Sequence, residues 1–449
     1  MNATTPISAD GTAVILDKAR AGTRLSPDEA LILALSAPLH DLCAAAMDVR
    51  LARHGRDAYY VHNVHVNFTN VCVNACRFCA FSKAKGEPGS RTLSVEDIVA
   101  DLAARGDAPI REIHVVGGLS PELPLEYYLD MLRGISRQCP DAGIKAFTAV
   151  EVAHLADVRG VSEFEILAAL KDAGLMMLPG GGAEVFSPAL REKLCPEKIS
   201  GERWLQIHAT AHGMDLPTNA TMLFGHIENW SDRVAHLSAL RDLQDLTGGF
   251  TCFIPLAYQP GNNALGAKGP DGLTVLRVMA LSRLFLDNIP HLKAYWAMLG
   301  IKTAQMALWA GADDFDGTII EERIGHAGSG VGTRDAEVQR RRQLQRVHPP
   351  PLCDERVVHQ VDVQAVRSLE GDQEHRITDD LQLGDAGADA VADGGGRPHD
   401  AVGGGQVARL ARGQQRRPGG GEQASAAGAG ETRRDVQAAG PVRVGEVLP

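Results

Sequence analysis

Apolar positions along the chain recur in two rhythms, and the change between them marks its organisation. In the N-terminal part they recur at helical spacing, and Ser26 followed by Pro27 is typical of a helix start. Further on, the two-residue alternation of a strand begins, and strand and helix patterns then take turns. The pattern predicts a helical extension over residues 1–60 and a domain of strand–helix units over residues 61–330.

The second region contains about eight candidate strands with helices between them, as a (β/α)8 barrel requires. A doubly wound open sheet is the alternative. The barrel is favoured because candidate chemical groups fall at or just past the C-terminal ends of strands, although open sheets share that tendency. The predicted strands cover residues 61–68, 110–116, 143–151, 175–178, 219–224, 250–256, 291–297 and 313–316. The predicted helices cover residues 94–105, 124–138, 162–173, 187–194, 201–213, 231–246, 273–286 and 301–309.

The composition of the chain changes towards its C-terminus. From Arg340 to Pro449 it contains no Phe, Tyr, Trp, Met, Asn or Lys. A segment without aromatics buries little apolar surface, so we predict a low-complexity, disordered tail over residues 340–449. A functional linker is one interpretation, and out-of-frame translation of a GC-rich gene after a frameshift is the one we favour; sequencing around codons 325–340 decides between them. A frame lost near Gly330 would remove or replace the residues that close the barrel.

Charge and hydropathy bear on the partners of the protein. The 56 Asp and Glu residues against 45 Lys and Arg give a net charge of −11, which argues against nucleic acid as a general partner. No apolar run reaches the length of a membrane span, and the N-terminus lacks the basic and apolar regions of a signal peptide. We therefore expect a soluble, cytoplasmic protein that binds neither nucleic acid nor a membrane.

Three cysteines carry the strongest chemical signal. Cys72, Cys76 and Cys79 follow a predicted strand at C-x3-C-x2-C spacing, without a fourth cysteine at a matching distance. Three such thiolates can ligate three irons of a cubane iron–sulfur cluster and leave one iron open for chemistry. The alternatives are a structural zinc site, which needs further ligands, and disulfides, which do not suit a chain without a secretion signal. The remaining cysteines are expected to be small buried hydrophobes: Cys43, Cys139, Cys195, Cys252 and Cys353.

The cysteine motif resembles that of the radical S-adenosylmethionine (SAM) superfamily, including the aromatic Phe78 directly before the third cysteine. The resemblance implies a TIM-like (β/α)8 barrel and a [4Fe–4S] cluster on the three cysteines, whose open iron chelates SAM. It also implies backbone contact of Gly117 and Gly118 with the methionine part of SAM, although Leu119 stands where the superfamily usually has an acid. Glu151 is the candidate for the SAM ribose hydroxyls; the alternative is an exposed acid at a strand end.

Longer stretches resemble one branch of that superfamily, the menaquinone and deazaflavin radical SAM group. The resemblance runs over residues 24–328 and includes VNFTNVCVNACRFCAFSK, IKAFTAVE and LPGGGAEVFSPALREKLCPEK. Three activities compete within the group: aminodeoxyfutalosine synthase, dehypoxanthine futalosine cyclase and the synthase of the deazaflavin precursor. HLKAYW at residues 291–296 favours the first, because relatives tend to carry glutamine in place of Lys293 and serine in place of Tyr295.

The resemblance implies a definite reaction on a small-molecule substrate. The 5′-deoxyadenosyl radical adds to the vinyl carbon of 3-[(1-carboxyvinyl)oxy]benzoate, and rearrangement with loss of the carboxylate gives 6-amino-6-deoxyfutalosine, an intermediate of the futalosine route to menaquinone. An electron donor such as a flavodoxin or ferredoxin is implied as a partner, whereas the sequence does not indicate an oligomeric state. A non-catalytic iron–sulfur protein and a zinc-stabilised binding module are the alternatives from other classes.

Cationic groups are expected at the site because the implied substrate carries two carboxylates. Lys293 and His291 share one face of their predicted strand, and we hypothesise that they bind a carboxylate. The alternative is a solvated lysine on the outer surface of the barrel. Glu184 follows a glycine-rich run, where we expect the backbone to approach a ligand and the carboxylate to face SAM or substrate.

Overall fold

The computed structural model describes residues 9–106, 110–329 and 358–360. All of these lie in the compact unit Met1–Glu374. One cluster of buried apolar side chains extends from Ile15 to Ile319, so the N-terminal helices and the strands share a core. None of the helices in the described part of the chain is long and apolar enough to cross a membrane.

The described strands run parallel to their neighbours. The strand predicted over residues 61–68 is shorter and covers Asn63–Val66. Another strand, Ala58–Val61, precedes it, so the helical extension predicted up to residue 60 is wrong in its last residues, and the preceding helix ends at His54. In chain order the strands are β1 (Ala58–Val61), β2 (Asn63–Val66), β3 (Glu112–Val115), β4 (Gly143–Ala146), β5 (Thr218–Phe224), β6 (Phe250–Ala257), β7 (His291–Leu292), β8 (Asp314–Gly317) and β9 (Val358–Gln360).

Backbone pairing closes these strands into a ring. β8 pairs with β1, β2 to β4 pair in order, and β5 to β7 pair in order. Met177 and Leu178 bridge β4 to β5, and Lys293 bridges to Asp314 of β8. The predicted (β/α)8 barrel is confirmed. Because β8 ends at Gly317, closure needs no residue beyond position 330, and the expectation that the closing residues would be lost there is wrong.

The predicted tail lies outside the described residues, apart from β9, which pairs with β1. Neither its disorder nor the frameshift interpretation is therefore tested by the structure.

Helices precede the barrel and connect its strands, and the eight helices predicted between residues 94 and 309 are found within two residues of their predicted bounds. Helices at Ala149–Arg159, Trp296–Leu299 and Ile324–Ser329 were not predicted. The N-terminal helices pack on the barrel helices, Pro27–Ser36 on Trp230–Thr247 and Leu39–His54 on Gly272–Phe285. The helices are α1 (Ala9–Arg20), α2 (Pro27–Ser36), α3 (Leu39–His54), α4 (Val95–Ala103), α5 (Leu125–Gln138), α6 (Ala149–Arg159), α7 (Glu163–Asp172), α8 (Pro188–Leu194), α9 (Gly201–Gly213), α10 (Trp230–Thr247), α11 (Gly272–Phe285), α12 (Trp296–Leu299), α13 (Ile301–Trp309) and α14 (Ile324–Ser329).

The strand predicted over residues 143–151 is wrong in its second half. β4 ends at Ala146, Phe147 takes a positive φ of 57°, and Thr148 caps helix α6. Thr148 and Glu151 form a capping box, in which each side chain bonds the backbone N–H of the other. Glu151 therefore lies buried in the first turn of a helix and is not an exposed acid at a strand end.

The strand predicted over residues 291–297 is also shorter than expected. β7 contains only His291 and Leu292, and helix α12 begins at Trp296. The two-residue alternation of a strand, from which we predicted Lys293 and His291 on one face, therefore does not extend to Lys293.

Candidate active site

The three motif cysteines lie on the loop that follows β2. Cys72, Cys76 and Cys79 line a cavity of about 310 Å³ at the C-terminal ends of the strands. Backbone hydrogen bonds hold the loop, with Cys72 N donating to Lys83 O over 3.1 Å and Cys79 N donating to Cys76 O over 3.0 Å. The structure thus brings the three thiols to the end of the barrel where catalytic groups gather in such folds.

The three thiols suit an iron–sulfur cluster as donors. All are free and half-buried. Burial raises the pKa of Cys72, and the neighbouring Cys76 and Cys79 raise it further. A hydrogen bond from Cys195 and the charge of Lys198 lower the pKa of Cys76, which favours the thiolate form that ligates iron. Three thiols at one cavity fit a [4Fe–4S] cluster with one open iron.

Gly117 and Gly118 follow β3 and pack against the cysteine loop. Gly118 N donates to Thr69 O over 2.8 Å. A side chain on Gly118 would overlap the carbonyl oxygen of Val71, and one on Gly117 would overlap the ring of Phe68. Both glycines also line the cavity. Close packing on the loop therefore requires them, and their contact with SAM stays a prediction.

Glu151 lines the cavity beside these glycines. Its carboxylate accepts hydrogen bonds from Thr148 N over 2.7 Å, from Thr148 Oγ1 over 2.9 Å and from Gly117 N over 3.1 Å. Burial raises the pKa of Glu151 to about 7, although these hydrogen bonds act in the opposite direction. Glu151 thus ties the loop after β3 to the start of α6 and is partly protonated near neutral pH.

Lys198 is a cavity residue that the sequence analysis missed. Its Nζ lies 2.7 Å from Oε1 of Glu184 and 5.3 Å from the centre of the Phe78 ring. Burial opposes its charge, but Glu184 and the thiols of Cys76 and Cys195 hold the pKa of Lys198 above its usual range. Cys195, predicted to be only a buried hydrophobe, packs beside Cys76 and Phe78. In the sequence, both residues lie in the stretch LREKLCPEK, which could have indicated them as candidate site residues.

Part of the cavity, here called the polar floor, is lined by His65, His114 and Lys145, which lie on the strands themselves and not on the loops after them. They stand side by side on β2, β3 and β4, because the strand register pairs His65 with His114 and His114 with Lys145. The two imidazole rings stack with centroids 4.6 Å apart. None of the three was predicted from the sequence. Each is a polar residue inside a short buried strand, and that pattern could have indicated a polar site.

Lys293 and His291 are not brought together at the cavity. Nζ of Lys293 lies 2.8 Å from Oδ1 of Asp316 and 3.3 Å from Oδ2 of Asp314. Lys293 is buried within the barrel, so the alternative of a solvated lysine on the outer surface is wrong. His291 instead lies at the start of β7, with its Nδ1 2.6 Å from Oδ2 of Asp313.

His291 belongs to a group at the N-terminal ends of the strands. His54, His291 and Asp313 offer ligand atoms within 4.8 Å of one another. Arg283 forms an ion pair with Asp313, and the rings of His54 and His291 stack with centroids 5.0 Å apart. Because a guanidinium already neutralises the carboxylate, we describe this group as an ion-pair network, not as a second metal centre.

Two protein-family models match the chain. Residues 66–240 match the radical SAM superfamily, and residues 247–342 match the CofH/MqnC C-terminal region. The first match contains the cysteine loop, Gly117, Gly118 and Lys198, and the second contains β7 and β8.

Several curated proteins are similar to this chain. Aminodeoxyfutalosine synthase of Thermus thermophilus is 44% identical over 338 residues, which cover 74% of this chain and 90% of that protein. A 5-amino-6-(D-ribitylamino)uracil–L-tyrosine 4-hydroxyphenyl transferase of Methanopyrus kandleri is 41% identical, covering 62% and 78%. Cyclic dehypoxanthine futalosine synthase of Streptomyces coelicolor is 40% identical, covering 69% and 79%.

The fold also has a counterpart among solved structures. The crystal structure of methylornithine synthase matches with a TM-score of 0.58 at 17% identity, over 75% of this chain and 98% of that one. At this identity the likeness concerns the fold alone. The sequence matches place the chain among the radical SAM enzymes, which use a [4Fe–4S] cluster and SAM. Within that superfamily the chain belongs to the transferase-type family of the aminodeoxyfutalosine synthases and their relatives.

Proposed function

We propose that this enzyme is an aminodeoxyfutalosine synthase. It joins the 5′-deoxyadenosyl group of SAM to 3-[(1-carboxyvinyl)oxy]benzoate, with loss of the vinyl carboxylate, and so forms 6-amino-6-deoxyfutalosine for menaquinone biosynthesis. The observation that carries the proposal is the similarity to the Thermus synthase. Its sequence identity to this chain and the length of its alignment are both greater than those of the Methanopyrus and Streptomyces proteins described above. The stretch HLKAYW at residues 291–296 supports the same choice.

The cavity contains residues suited to the cofactors of this reaction. When bound, the cluster and SAM supply a 5′-deoxyadenosyl radical by one-electron cleavage of the sulfonium. Cys72, Cys76 and Cys79 hold the cluster in this proposal. Glu184 and Lys198 offer one charge of each sign beside the amino and carboxylate groups of SAM. Glu151 faces the same cavity as an acceptor for the ribose hydroxyls.

The cluster needs a reductant that delivers single electrons. We propose a flavodoxin or a ferredoxin for this role, in the cytoplasm. The free state of the described cysteines suits such a reducing compartment.

The reaction is tested by anaerobic reconstitution of the full chain with iron, sulfide and SAM, followed by mass spectrometry of the products. If the protein is this synthase, it should form 6-amino-6-deoxyfutalosine from 3-[(1-carboxyvinyl)oxy]benzoate, called the enolpyruvyl benzoate below. The same preparation is offered dehypoxanthine futalosine, and then tyrosine with 5-amino-6-(D-ribitylamino)uracil. Turnover of either of these, without turnover of the enolpyruvyl benzoate, would replace the proposed activity by that of the corresponding relative.

A paramagnetic spectrum of the reduced cluster separates the enzyme from the other protein classes. Addition of SAM should change the spectrum, because SAM binds an open iron. A spectrum that SAM leaves unchanged would point to an iron–sulfur carrier, and a preparation that binds zinc but no iron would point to a zinc-stabilised module.

A further inference from the structure

The polar floor contains a hydrogen-bonding group that the fold leaves unused. His65 and Lys145 are buried, His114 is half-buried, and all three line the cavity. Nε2 of His65 is buried and has no hydrogen-bond partner among the described residues. A buried polar atom without a partner is costly, so such atoms in native structures are usually satisfied by water or a ligand. A ligand in this cavity can supply the missing partner.

We propose that the polar floor binds the carboxylate on the aromatic ring of the substrate, with Nε2–H of His65 and Nζ of Lys145 as donors. This inference rests on the proposed function, which supplies a substrate with two carboxylates. The vinyl carboxylate is attached to the reacting double bond, so it belongs near the cysteine loop. The ring carboxylate lies at the other end of the substrate and remains in the product. It therefore suits side chains on the strands, such as His65 and Lys145, which precede the loops at the strand ends.

The groups of the polar floor match a single carboxylate. Nζ of Lys145 lies 2.8 Å from Oε1 of Glu112, and an ammonium has three donors, so it can serve Glu112 and a ligand together. Burial holds the pKa of both His65 and His114 below the usual range. Both rings are therefore neutral at pH 7, and His65 contributes a hydrogen bond while Lys145 contributes the charge.

Two of the acids that line the cavity each accept a hydrogen bond from a group outside the polar floor. Asp316 accepts a hydrogen bond from Lys293 over 2.8 Å. Glu322 accepts one from Gly325 N over 2.7 Å. Nε2 of His65 has no partner among the described residues, and Lys145 has donors beyond the one that Glu112 accepts, so a carboxylate from the substrate can accept from both.

The test compares the enolpyruvyl benzoate with an analogue that carries a carboxamide in place of the ring carboxylate. With the reconstituted wild-type protein, kcat/KM should favour the carboxylate by about tenfold or more, the usual worth of a charge-assisted hydrogen bond. His65→Phe should raise KM for the carboxylate by a similar factor and remove most of the preference. His65→Gln keeps a side-chain donor and should restore part of it. The change that SAM causes in the cluster spectrum should persist in both variants.

His62→Phe is the matched control, because His62 lies three residues earlier and does not line the cavity. It should keep the preference of the wild type. The polar floor does not bind the ring carboxylate if the wild type shows no preference for the carboxylate over the carboxamide. The same conclusion follows if the preference survives in His65→Phe or falls equally in His62→Phe. If the wild type forms an adenosyl product from neither compound, the proposed function itself fails and the inference falls with it. Circular dichroism confirms that each variant is folded.

Discussion

The two ends of the barrel both contain buried titratable groups, but they use them differently. At the N-terminal ends of the strands, Asp313 is bound by Arg283 and His291. At the C-terminal ends, Glu151 and His65 line a cavity, and Nε2 of His65 has no partner in the described part of the chain. A fully paired network stabilises one arrangement, whereas incomplete pairing leaves groups available to a ligand.

The pKa values show the same contrast. His291 and Arg283 hold the pKa of Asp313 at about 2, although its burial acts in the opposite direction. Burial raises the pKa of Glu151 to about 7 at the other end. An acid held by cations stays ionised over the physiological range, and one without them changes protonation near neutral pH. Buried charge by itself therefore does not mark the active site, and neither does its pairing, since the ion pair of Lys198 with Glu184 also lines the cavity. The cavity end is distinguished by the raised pKa of Glu151 and by Nε2 of His65, which has no partner among the described residues.

The largest expected effect tests the C-terminal end. Cys76→Ala should abolish cluster binding and product formation, because the two remaining thiolates cannot complete the three-cysteine site. Absorbance spectra and iron analysis after anaerobic reconstitution measure the loss. Cys139→Ala is the control, since Cys139 is also half-buried but does not line the cavity, and it should keep the cluster. A SAM-responsive cluster in Cys76→Ala would mean that the site has been wrongly assigned.

A change at the N-terminal end should affect stability and leave substrate binding alone. Asp313→Asn should lower the free energy of unfolding by about 3–5 kcal/mol, because it leaves Arg283 buried without its counter-charge. Urea unfolding measures this, and KM should not change. Asp245→Asn breaks an exposed pair with Arg24 and should cost at most about 1 kcal/mol. A raised KM with unchanged stability in Asp313→Asn would contradict the comparison.

Glu151 should make the stability depend on pH. The unfolded chain ionises this carboxyl near pH 4.5 and the folded chain near pH 7, so the folded state retains the proton in between. The contribution of Glu151 to the free energy of unfolding is complete below pH 4.5. It falls by about 3 kcal/mol as the pH rises to 7. Glu151→Gln should remove this slope from urea unfolding measured across the same window.

Glu165→Gln is the control for that experiment. Glu165 completes the capping box of α7 as Glu151 completes that of α6. Hydrogen bonds from Ser162 hold the pKa of Glu165 below its usual value, so its titration lies below the window. The slope should survive in Glu165→Gln, and its survival in Glu151→Gln would assign it to another group.

A slope of opposite sign is expected at the N-terminal end, from a pKa shift as large as that of Glu151. Burial lowers the pKa of His54 from 6.5 to about 4, so between these values the unfolded state binds more protons. Its contribution to stability is therefore complete above pH 6.5 and is lost as the pH falls to 4. His54→Gln should remove this slope, whereas His40→Gln, on the exposed part of the same helix, should not. If the slope is unchanged in His54→Gln, the pH dependence of stability in this window does not come from His54.

Much of the fold could be predicted because its signals are local. Ser26 and Ser94 begin helices through capping boxes that can be recognised within four residues of sequence. Helix α13 has the predicted bounds. Residues 143–151 were misassigned because their apolar run also suits a strand, and the capping box of Thr148 and Glu151 decides where the strand ends and the helix begins.

By itself, the sequence determined most of the alternation of strands and helices and the candidate ligand set of Cys72, Cys76 and Cys79, because both depend on spacings of a few residues. Only the tertiary structure decided which distant polar groups meet. His65, His114 and Lys145 become neighbours through the register of three strands. Local pattern carries no information on that register, on the pairing of a buried charge or on its pKa, since each arises from packing between segments far apart in the chain.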